Sequence, residues 1–188
     1  MSTPKDIEQL KSKFGEAILM VKEFRGEHTI SVNLPQVHSL LKHCSNELGY
    51  DFLIDISSLD HFGLEPRFEM VYELTTVDDC KHLRVKCAIA EDEEVPSVVA
   101  IWKTADWHER EVYDMMGIRF SGHPDMRRIL MWEGYPYYPL RKDFPLAGKE
   151  TDMPDVAFTG VAPMEGGPFV TRPGTDRESG EPRAKGES

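Results

Sequence analysis

The stretch Arg67-Phe-Glu-Met-Val-Tyr-Glu-Leu74 alternates large apolar side chains with polar ones, and it decides the fold. Its even-numbered residues are Phe, Met, Tyr and Leu, whereas Glu69 and Glu73 occupy the other side. This period of two is typical of a β-strand with one dry face. Residues 83–89 repeat the pattern after a short link. Successive one-sided strands predict an antiparallel meander whose dry face is covered by helices.

Two segments upstream carry apolar residues at helical spacing. Residues 5–14 form the first, and Gly15 follows as a stop. The second begins at Pro35, which suits the first turn of a helix, and it ends before Gly49. Its stripe of Val, Leu and Cys side chains is typical of a helix that covers the dry face of a sheet.

The remaining segments before Gly117 predict strands and one loop. Residues 17–24 fit either a helix or a strand, and we favour a strand that turns at Arg25-Gly26 into an alternating strand over residues 29–34. Residues 52–56 predict a buried strand, and the acidic residues 91–96 predict a solvated loop that closes the sheet. The fold class is therefore α+β, a mostly antiparallel sheet with helices packed on one face. Residues 1–117 are expected to form one compact domain that folds without the rest of the chain.

Composition excludes several classes of protein. The net charge of −11 argues against a nucleic-acid binder, which needs a basic surface. The longest strictly apolar run, residues 17–21, is too short to cross a bilayer, and we expect no signal peptide. The three cysteines show no CxxC spacing, so we expect reduced thiols rather than disulfides or metal ligands.

The stretch Trp107-His-Glu-Arg-Glu-Val-Tyr-Asp114 concentrates ionisable side chains beside apolar ones. Asp106 as N-cap and Glu109 three residues later predict a capping box at the start of a helix over residues 107–116. On that helix Arg110 and Asp114 are four apart, and we expect them to pair on the polar face. The metal interpretation is weak, because the position four after His108 is a valine rather than a second histidine. Acid–base catalysis lacks a second group nearby.

The composition changes after Gly117. Residues 118–188 contain 9 of the 13 prolines and 9 of the 14 glycines, yet they also carry eight Phe, Trp and Tyr side chains. Disordered tails are poor in aromatic residues. The charge also changes sign, from −10 over residues 1–117 to +3 over residues 118–149. We therefore predict an extended, irregular, partner-binding arm over residues 118–172 and a flexible polar tail over residues 173–188. An arm folded back on its own domain is the alternative.

Three motifs together are similar to one known family. They are the stretch from Trp107 to Ile118, the stretch from Gly122 to Leu130, and Pro139-Leu-Arg-Lys-Asp-Phe-Pro-Leu146. This combination closely resembles the C subunit of respiratory complex I, the thirty-kilodalton subunit of the NADH:quinone oxidoreductase peripheral arm. The likeness covers most of residues 15–146. It departs at residues 136–138, where Pro-Tyr-Tyr stands in place of the family's usual Glu-Gly-His.

The resemblance implies a structural and assembly subunit of a proton-translocating complex. Such a subunit supports electron transfer from NADH to quinone but carries no flavin and no iron–sulfur cluster, so the redox cofactors, NADH and quinone belong to partner subunits. The expected partners are chiefly the large quinone-site D subunit and the neighbouring B subunit, on the cytoplasmic face of the inner membrane. We expect no catalytic, cofactor-binding or metal-binding residue in the chain. The residues expected to act in structure or at the interface are Glu109, Arg110, Glu111, Asp114, His123, Asp125, Arg127, Arg128, Arg141, Lys142 and Asp143.

Three alternatives remain open at this point. The first is the homologous subunit of a membrane-bound nickel–iron hydrogenase or formate-hydrogen lyase, whose motifs barely differ. The second is a free-standing enzyme that uses His108, Glu109 and Glu111. The third is an autonomous binding module whose arm holds an unrelated protein. The subunits that co-purify with the chain would separate these alternatives.

Overall fold

The computed structural model describes residues 4–149, and these residues form an α+β fold, as predicted. Each helix in this part of the chain is too short or too polar to cross a bilayer. The elements follow one another as α1 (Pro4–Phe14), β1 (Ile18–Phe24), β2 (Glu27–Val32), α2 (Leu34–Leu48), β3 (Phe52–Asp60), β4 (Phe68–Thr75), β5 (His82–Ile89), β6 (Glu94–Pro96), α3 (Ala105–Met116) and β7 (Arg119–Ser121).

The main sheet has the strand order β1-β2-β5-β4-β3. Strands β3, β4 and β5 form the predicted antiparallel meander, and β1 with β2 forms the predicted hairpin. The junction between these two units differs from a simple meander, because β2 pairs with β5 in parallel. The cause lies in α2, which carries the chain from β2 to the far edge of the sheet. The meander then returns and brings β5 beside β2.

The strand register places the alternating residues as the sequence predicted. Met70 lies opposite Cys87 and Tyr72 opposite Val85, and all four side chains are buried. Helix α2 adds its own buried stripe to the same core, and its Gly49 cap has a left-handed backbone with φ 76°. The other face of the sheet is polar: Lys86 Nζ, for example, lies 2.7 Å from a Glu69 carboxylate oxygen. One dry and one wet face is the pattern that an alternating antiparallel sheet produces.

Two local predictions were wrong. The acidic segment after β5 is not entirely a loop, because Glu94–Pro96 forms β6, which pairs in parallel with β7. The strand predicted over residues 52–56 is longer, ending at Asp60, and it is not fully buried. Phe52 and Ile54 remain 44% and 43% exposed, since β3 is an edge strand of the sheet.

Residues 118–149 pack against the same core as the residues before them. Phe120, Met131 and Tyr135 are buried and belong to the single hydrophobic cluster of the fold. The independent folding of residues 1–117 stays a prediction, but this part of the predicted arm packs on its own domain. Its binding to a partner stays a prediction. The remainder of the arm, residues 150–172, and the tail, residues 173–188, lie outside the described residues.

Gly117 is the point at which the chain leaves α3 and turns back over it. Its φ of 78° lies in the left-handed region, and its N–H donates to the Tyr113 carbonyl at 2.9 Å. A Cβ at this position would lie 2.6 Å from the Tyr138 ring and 2.7 Å from the Arg141 guanidinium. The helix end and the returning segment are therefore in direct contact at this glycine.

We predict that Gly117→Ala destabilises the protein more than Gly49→Ala does. Both substitutions place a side chain at a left-handed position, which costs roughly 1–2 kcal/mol. Only Gly117→Ala also overpacks a contact, at an added cost of roughly 1–3 kcal/mol, because a Cβ at Gly49 meets nothing within 4 Å. Thermal unfolding of the two variants measures the difference. Equal melting temperatures would show that residues 138–141 do not pack on the helix end.

Candidate functional site

Helix α3 begins two residues earlier than predicted. It starts at Ala105, and its N-cap residue Thr104 has helical backbone angles and makes no side-chain cap hydrogen bond. The predicted capping box of Asp106 and Glu109 is therefore wrong. Because Asp106 already lies in the first turn, Glu109 lies in the second turn of the helix, away from the cap, and its side chain is buried in the core.

Glu109 instead joins α3 to the segment after β6. Its Oε1 accepts the N–H of Val98 at 2.7 Å, and its side chain is fully buried. Its Oε2 has no hydrogen-bond partner within residues 4–149 and lies 4.0 Å from Nε2 of His123. Burial raises the pKa of Glu109 from its ordinary 4.5 to about 7, against the opposing effect of the Val98 hydrogen bond. This carboxyl group therefore titrates near neutral pH.

Asp114 lies at the centre of the contact between α3 and the returning segment. One oxygen, Oδ1, accepts from the Arg128 guanidinium at 2.6 Å. The other, Oδ2, accepts the backbone N–H groups of Ile129, Leu130 and Met131 at 3.0, 2.7 and 2.9 Å. The carboxylate is fully buried, so these four donors replace its water shell.

The predicted pair of Arg110 with Asp114 is therefore wrong, and so is the placement of Asp114 on a polar face. Arg110 lies over the Trp107 ring and donates to the Arg127 carbonyl at 3.1 Å. Glu111 is exposed, and its side chain takes part in no hydrogen bond or ion pair of the described residues.

His123, Asp125 and Arg127 form the loop after β7. The His123 side chain is fully buried; its Nδ1 accepts the Asp125 N–H at 3.0 Å and its Nε2 lies 3.2 Å from an Asp106 oxygen. Asp125 pairs with Arg127 at 2.6 Å, and the Arg127 hydrogen bonds hold the pKa of Asp125 below its usual value. Arg127 is 70% exposed, so this pair lies at the surface.

Arg67 is the second centre of the contact, and it was not among the site residues predicted from the sequence. It forms a two-pronged pair with Asp60 at 3.0 Å for both bonds, and it also contacts Glu91 at 3.0 Å and Asp143 at 2.7 Å. These hydrogen bonds hold the pKa values of Asp60 and Glu91 below their ordinary range. The available signal was an arginine directly before a strongly alternating strand.

Arg141 and Lys142 complete the attachment of the segment. Arg141 Nε donates to the Met116 carbonyl at 2.6 Å, so it satisfies the C-terminal end of α3, and its guanidinium lies over the Tyr138 ring. The backbone N–H of Lys142 donates to Asp60 at 2.8 Å, whereas its side chain is exposed.

All of the predicted residues except Glu111 thus lie at or beside one seam, which we define as the contact of residues 118–149 with α3 and with Asp60, Arg67 and Glu91. Most of them are engaged in hydrogen bonds or ion pairs within the protein. In the described part of the chain, no group of three or more His, Cys, Asp or Glu side chains is arranged to hold a metal ion. The arrangement is able to fix the position of residues 118–149 relative to the sheet.

Comparison with known proteins finds a family whose members match the part of the chain that contains the seam. A model of the family described as respiratory-chain NADH dehydrogenase, 30 Kd subunit, matches residues 30–150, which include both α3 and the seam. The chain belongs to this family.

Individual relatives extend over most of the chain. The C subunit of NADH-quinone oxidoreductase from Geotalea uraniireducens (strain Rf4) is 43% identical over 145 residues, which are 77% of this chain and 88% of the relative. The C 2 subunit of NADH-quinone oxidoreductase from Rhizobium meliloti (strain 1021) is 39% identical over 164 residues, 86% of this chain and 90% of the relative. The resemblance of the motifs to the thirty-kilodalton subunit family is thereby confirmed.

A solved structure shares the fold as well. A chain of the membrane-bound sulfane sulfur reductase, an archaeal respiratory membrane complex, superimposes with a TM-score of 0.64 at 26% identity. The match covers 76% of this chain and 86% of that one. The 30 Kd subunit fold is therefore also present in a respiratory membrane complex with a different name.

We predict that Glu109→Gln removes a pH dependence of stability. Between pH 4.5 and about 7 the folded wild type holds a proton on Glu109 that the unfolded chain has released. The wild type therefore loses stability as pH rises through this window, by a total of about 3 kcal/mol. The amide keeps an oxygen for the Val98 N–H but does not titrate. Denaturant midpoints measured from pH 4.5 to 8 should fall for the wild type relative to the variant; parallel curves would contradict the burial of Glu109.

We predict that Asp114→Ala destabilises the protein strongly, by about 3–5 kcal/mol, because Arg128 and three backbone N–H groups lose their acceptor. Asp125→Ala is the matched control, since its ion pair with Arg127 is at the surface, where such pairs contribute little. Chemical denaturation of both variants at pH 7 makes the comparison. A similar, small effect of both substitutions would show that Asp114 does not hold the seam together.

Proposed function

We propose that this chain is a structural and assembly subunit in the peripheral arm of a proton-translocating NADH:quinone oxidoreductase. In this proposal it supports electron transfer from NADH to quinone without carrying a redox centre itself. Membership of the 30 Kd subunit family and relatives named as C subunits of NADH-quinone oxidoreductase support it. Flavin, iron–sulfur clusters, NADH and quinone would then be bound by partner subunits, and the isolated chain would have no activity.

The observation that carries this proposal is the way in which the motif residues are used. Asp114 accepts backbone N–H groups, while Arg128 and Arg141 donate to backbone carbonyls as well as to carboxylates. Groups consumed in this way are not available to a substrate. They stiffen a segment and so present a defined surface to another protein, which lowers the entropy lost on association.

We further propose that the large quinone-site D subunit and the neighbouring B subunit bind at this seam, on the cytoplasmic side of the membrane. Residues 118–149 carry a charge of +3 in a chain whose first 117 residues carry −10. A local basic surface on an acidic protein attracts an acidic partner and orients it during association. Arg119 and Arg127 are exposed on this segment and are therefore candidates for that role.

The second candidate is the corresponding subunit of a related membrane-bound complex, such as a nickel–iron hydrogenase or a formate-hydrogen lyase. The similarity to a chain of an archaeal membrane-bound sulfane sulfur reductase supports this second candidate, because that complex is not named as an NADH dehydrogenase. The two candidates predict different companions for the same chain.

The experiment is purification of the tagged full-length chain from solubilised membranes, with identification of its companions. Flavin- and NADH-binding subunits together with NADH:quinone activity support the first candidate, and a hydrogenase large subunit supports the second. Recovery of the chain alone would contradict both. An absorption spectrum of the isolated chain then tests the absence of a redox centre, and a flavin or iron–sulfur band would contradict it.

We predict that Arg127→Glu lowers the amount of assembled complex while turnover per complex stays unchanged. The reversed charge repels an acidic partner, but it does not reach any reacting group in this proposal. Lys22→Glu on β1 is the control, since Lys22 is also exposed but lies far from the seam in the strand order. Quantitative mass spectrometry of purified membranes measures assembly. Normal assembly with reduced turnover would indicate a direct catalytic role instead.

A further inference from the structure

A groove with a volume of about 330 Å³ runs beside β3. Leu59 of β3, Met116 at the end of α3, and Leu140 of the returning segment form its apolar wall. His61 and Lys142 line the same groove with polar groups. We call this feature the β3 groove.

The outer edge of β3 borders this groove. Because β3 is the last strand in the sheet order, the N–H and C=O groups on that edge are paired by no strand of residues 4–149. The strand is regular from Asp55 to Asp60, where every residue has its partner on β4. A regular, unpaired edge is a template for an added extended segment.

Apolar side chains around the groove are exposed to solvent. Leu59 is 44% exposed and Leu140 is 62% exposed. Phe62 follows the groove residue His61 and is also exposed, and its ring lies 5.2 Å from the Arg67 guanidinium, which bonds to the groove residue Asp60. Clustered exposed apolar groups of this kind mark an interaction site rather than a solvated surface.

The charges at the groove indicate what kind of residue accompanies the apolar one. Asp60 and Asp143 are already bonded to Arg67, and Arg141 is bonded to Glu91. His61 lies 3.7 Å from a Glu69 carboxylate oxygen, so Lys142 is the charged residue lining the groove that has no ion pair within residues 4–149. An incoming segment with a carboxylate near its apolar side chain complements this cation.

We propose that the β3 groove binds an extended segment of another subunit of the same complex, which adds to the sheet along β3. One large apolar side chain of that segment enters between Leu59 and Leu140, and a neighbouring carboxylate pairs with Lys142. The inference rests on the proposed function, since it takes the chain to be one subunit of an assembly. It adds the place of contact and the chemistry of the partner's segment.

The first test maps the occupant of the groove in the assembled complex. Leu140 is replaced by a photoreactive phenylalanine derivative in the full-length chain, and Leu19 on β1 is replaced likewise as the control. After illumination of membranes, mass spectrometry should find Leu140 linked to one segment of a different subunit, with a carboxylate close to the linked apolar residue. A link to residues 150–188 of the same chain, a link to a second copy of the chain, or no link in an intact complex would each overturn the proposal.

The second test measures assembly with Leu140→Asp, and with Leu19→Asp as the matched control. Both leucines are more than half exposed, so the isolated variants should melt like the wild type. Leu140→Asp places a charge in the groove and should reduce the amount of assembled complex by about tenfold or more, whereas Leu19→Asp should not. Equal assembly of both variants would refute the groove. If the wild-type chain itself recovers no partner subunits, the proposed function fails instead.

Discussion

The buried carboxylate of Asp114 is the interaction on which the order of residues 118–149 depends. A charge removed from water requires a full set of donors, and here one guanidinium and three consecutive backbone N–H groups supply them. Those N–H groups belong to Ile129, Leu130 and Met131, which are part of no regular strand or helix and so have no backbone partner of that kind. Helix α3 therefore provides, through one side chain, the hydrogen bonds that an irregular segment cannot make with itself.

The rest of the seam depends on this first attachment. Once the chain returns over α3, Tyr138 and Arg141 reach the end of the helix, and the absence of a side chain at Gly117 leaves room for them. Arg67 then connects Asp143 with the sheet. Two of these attachments are on α3 and the third is at Arg67 beside the sheet, so the segment is fixed in position and direction. Under the proposed function, this rigidity is what residues 118–149 contribute to an assembly.

Much of the fold could be predicted from the sequence, because it depends on local periodicity. The alternation from Phe68 to Leu74 and the Pro35 start of α2 are signals read within a few residues. The wrong pairing of Arg110 with Asp114 concerns a partner distant in the chain. Asp114 accepts from Arg128 rather than from Arg110, since the choice is made by the returning segment and not by the helix wheel. The role of Arg67 was missed for the same reason, because its partner Asp143 lies 76 residues further along the chain.

The capping rule placed Glu109 at the helix start, whereas its side chain is buried in the core. Its hydrogen bond explains why a buried carboxyl group is tolerated there. Burial opposes the ionisation of Glu109 and raises its pKa. The hydrogen bonds from Arg67 favour the ionised forms of Asp60 and Glu91 and lower their pKa values. The first effect lowers stability as pH rises through 4.5 to about 7, and the second lowers stability as pH falls below the ordinary range of these carboxyls. Glu109 still orders the segment after β6, because its Oε1 accepts the Val98 N–H in the core. Leaving that N–H without an acceptor costs free energy at every pH, so the carboxyl group is tolerated despite its cost near neutrality.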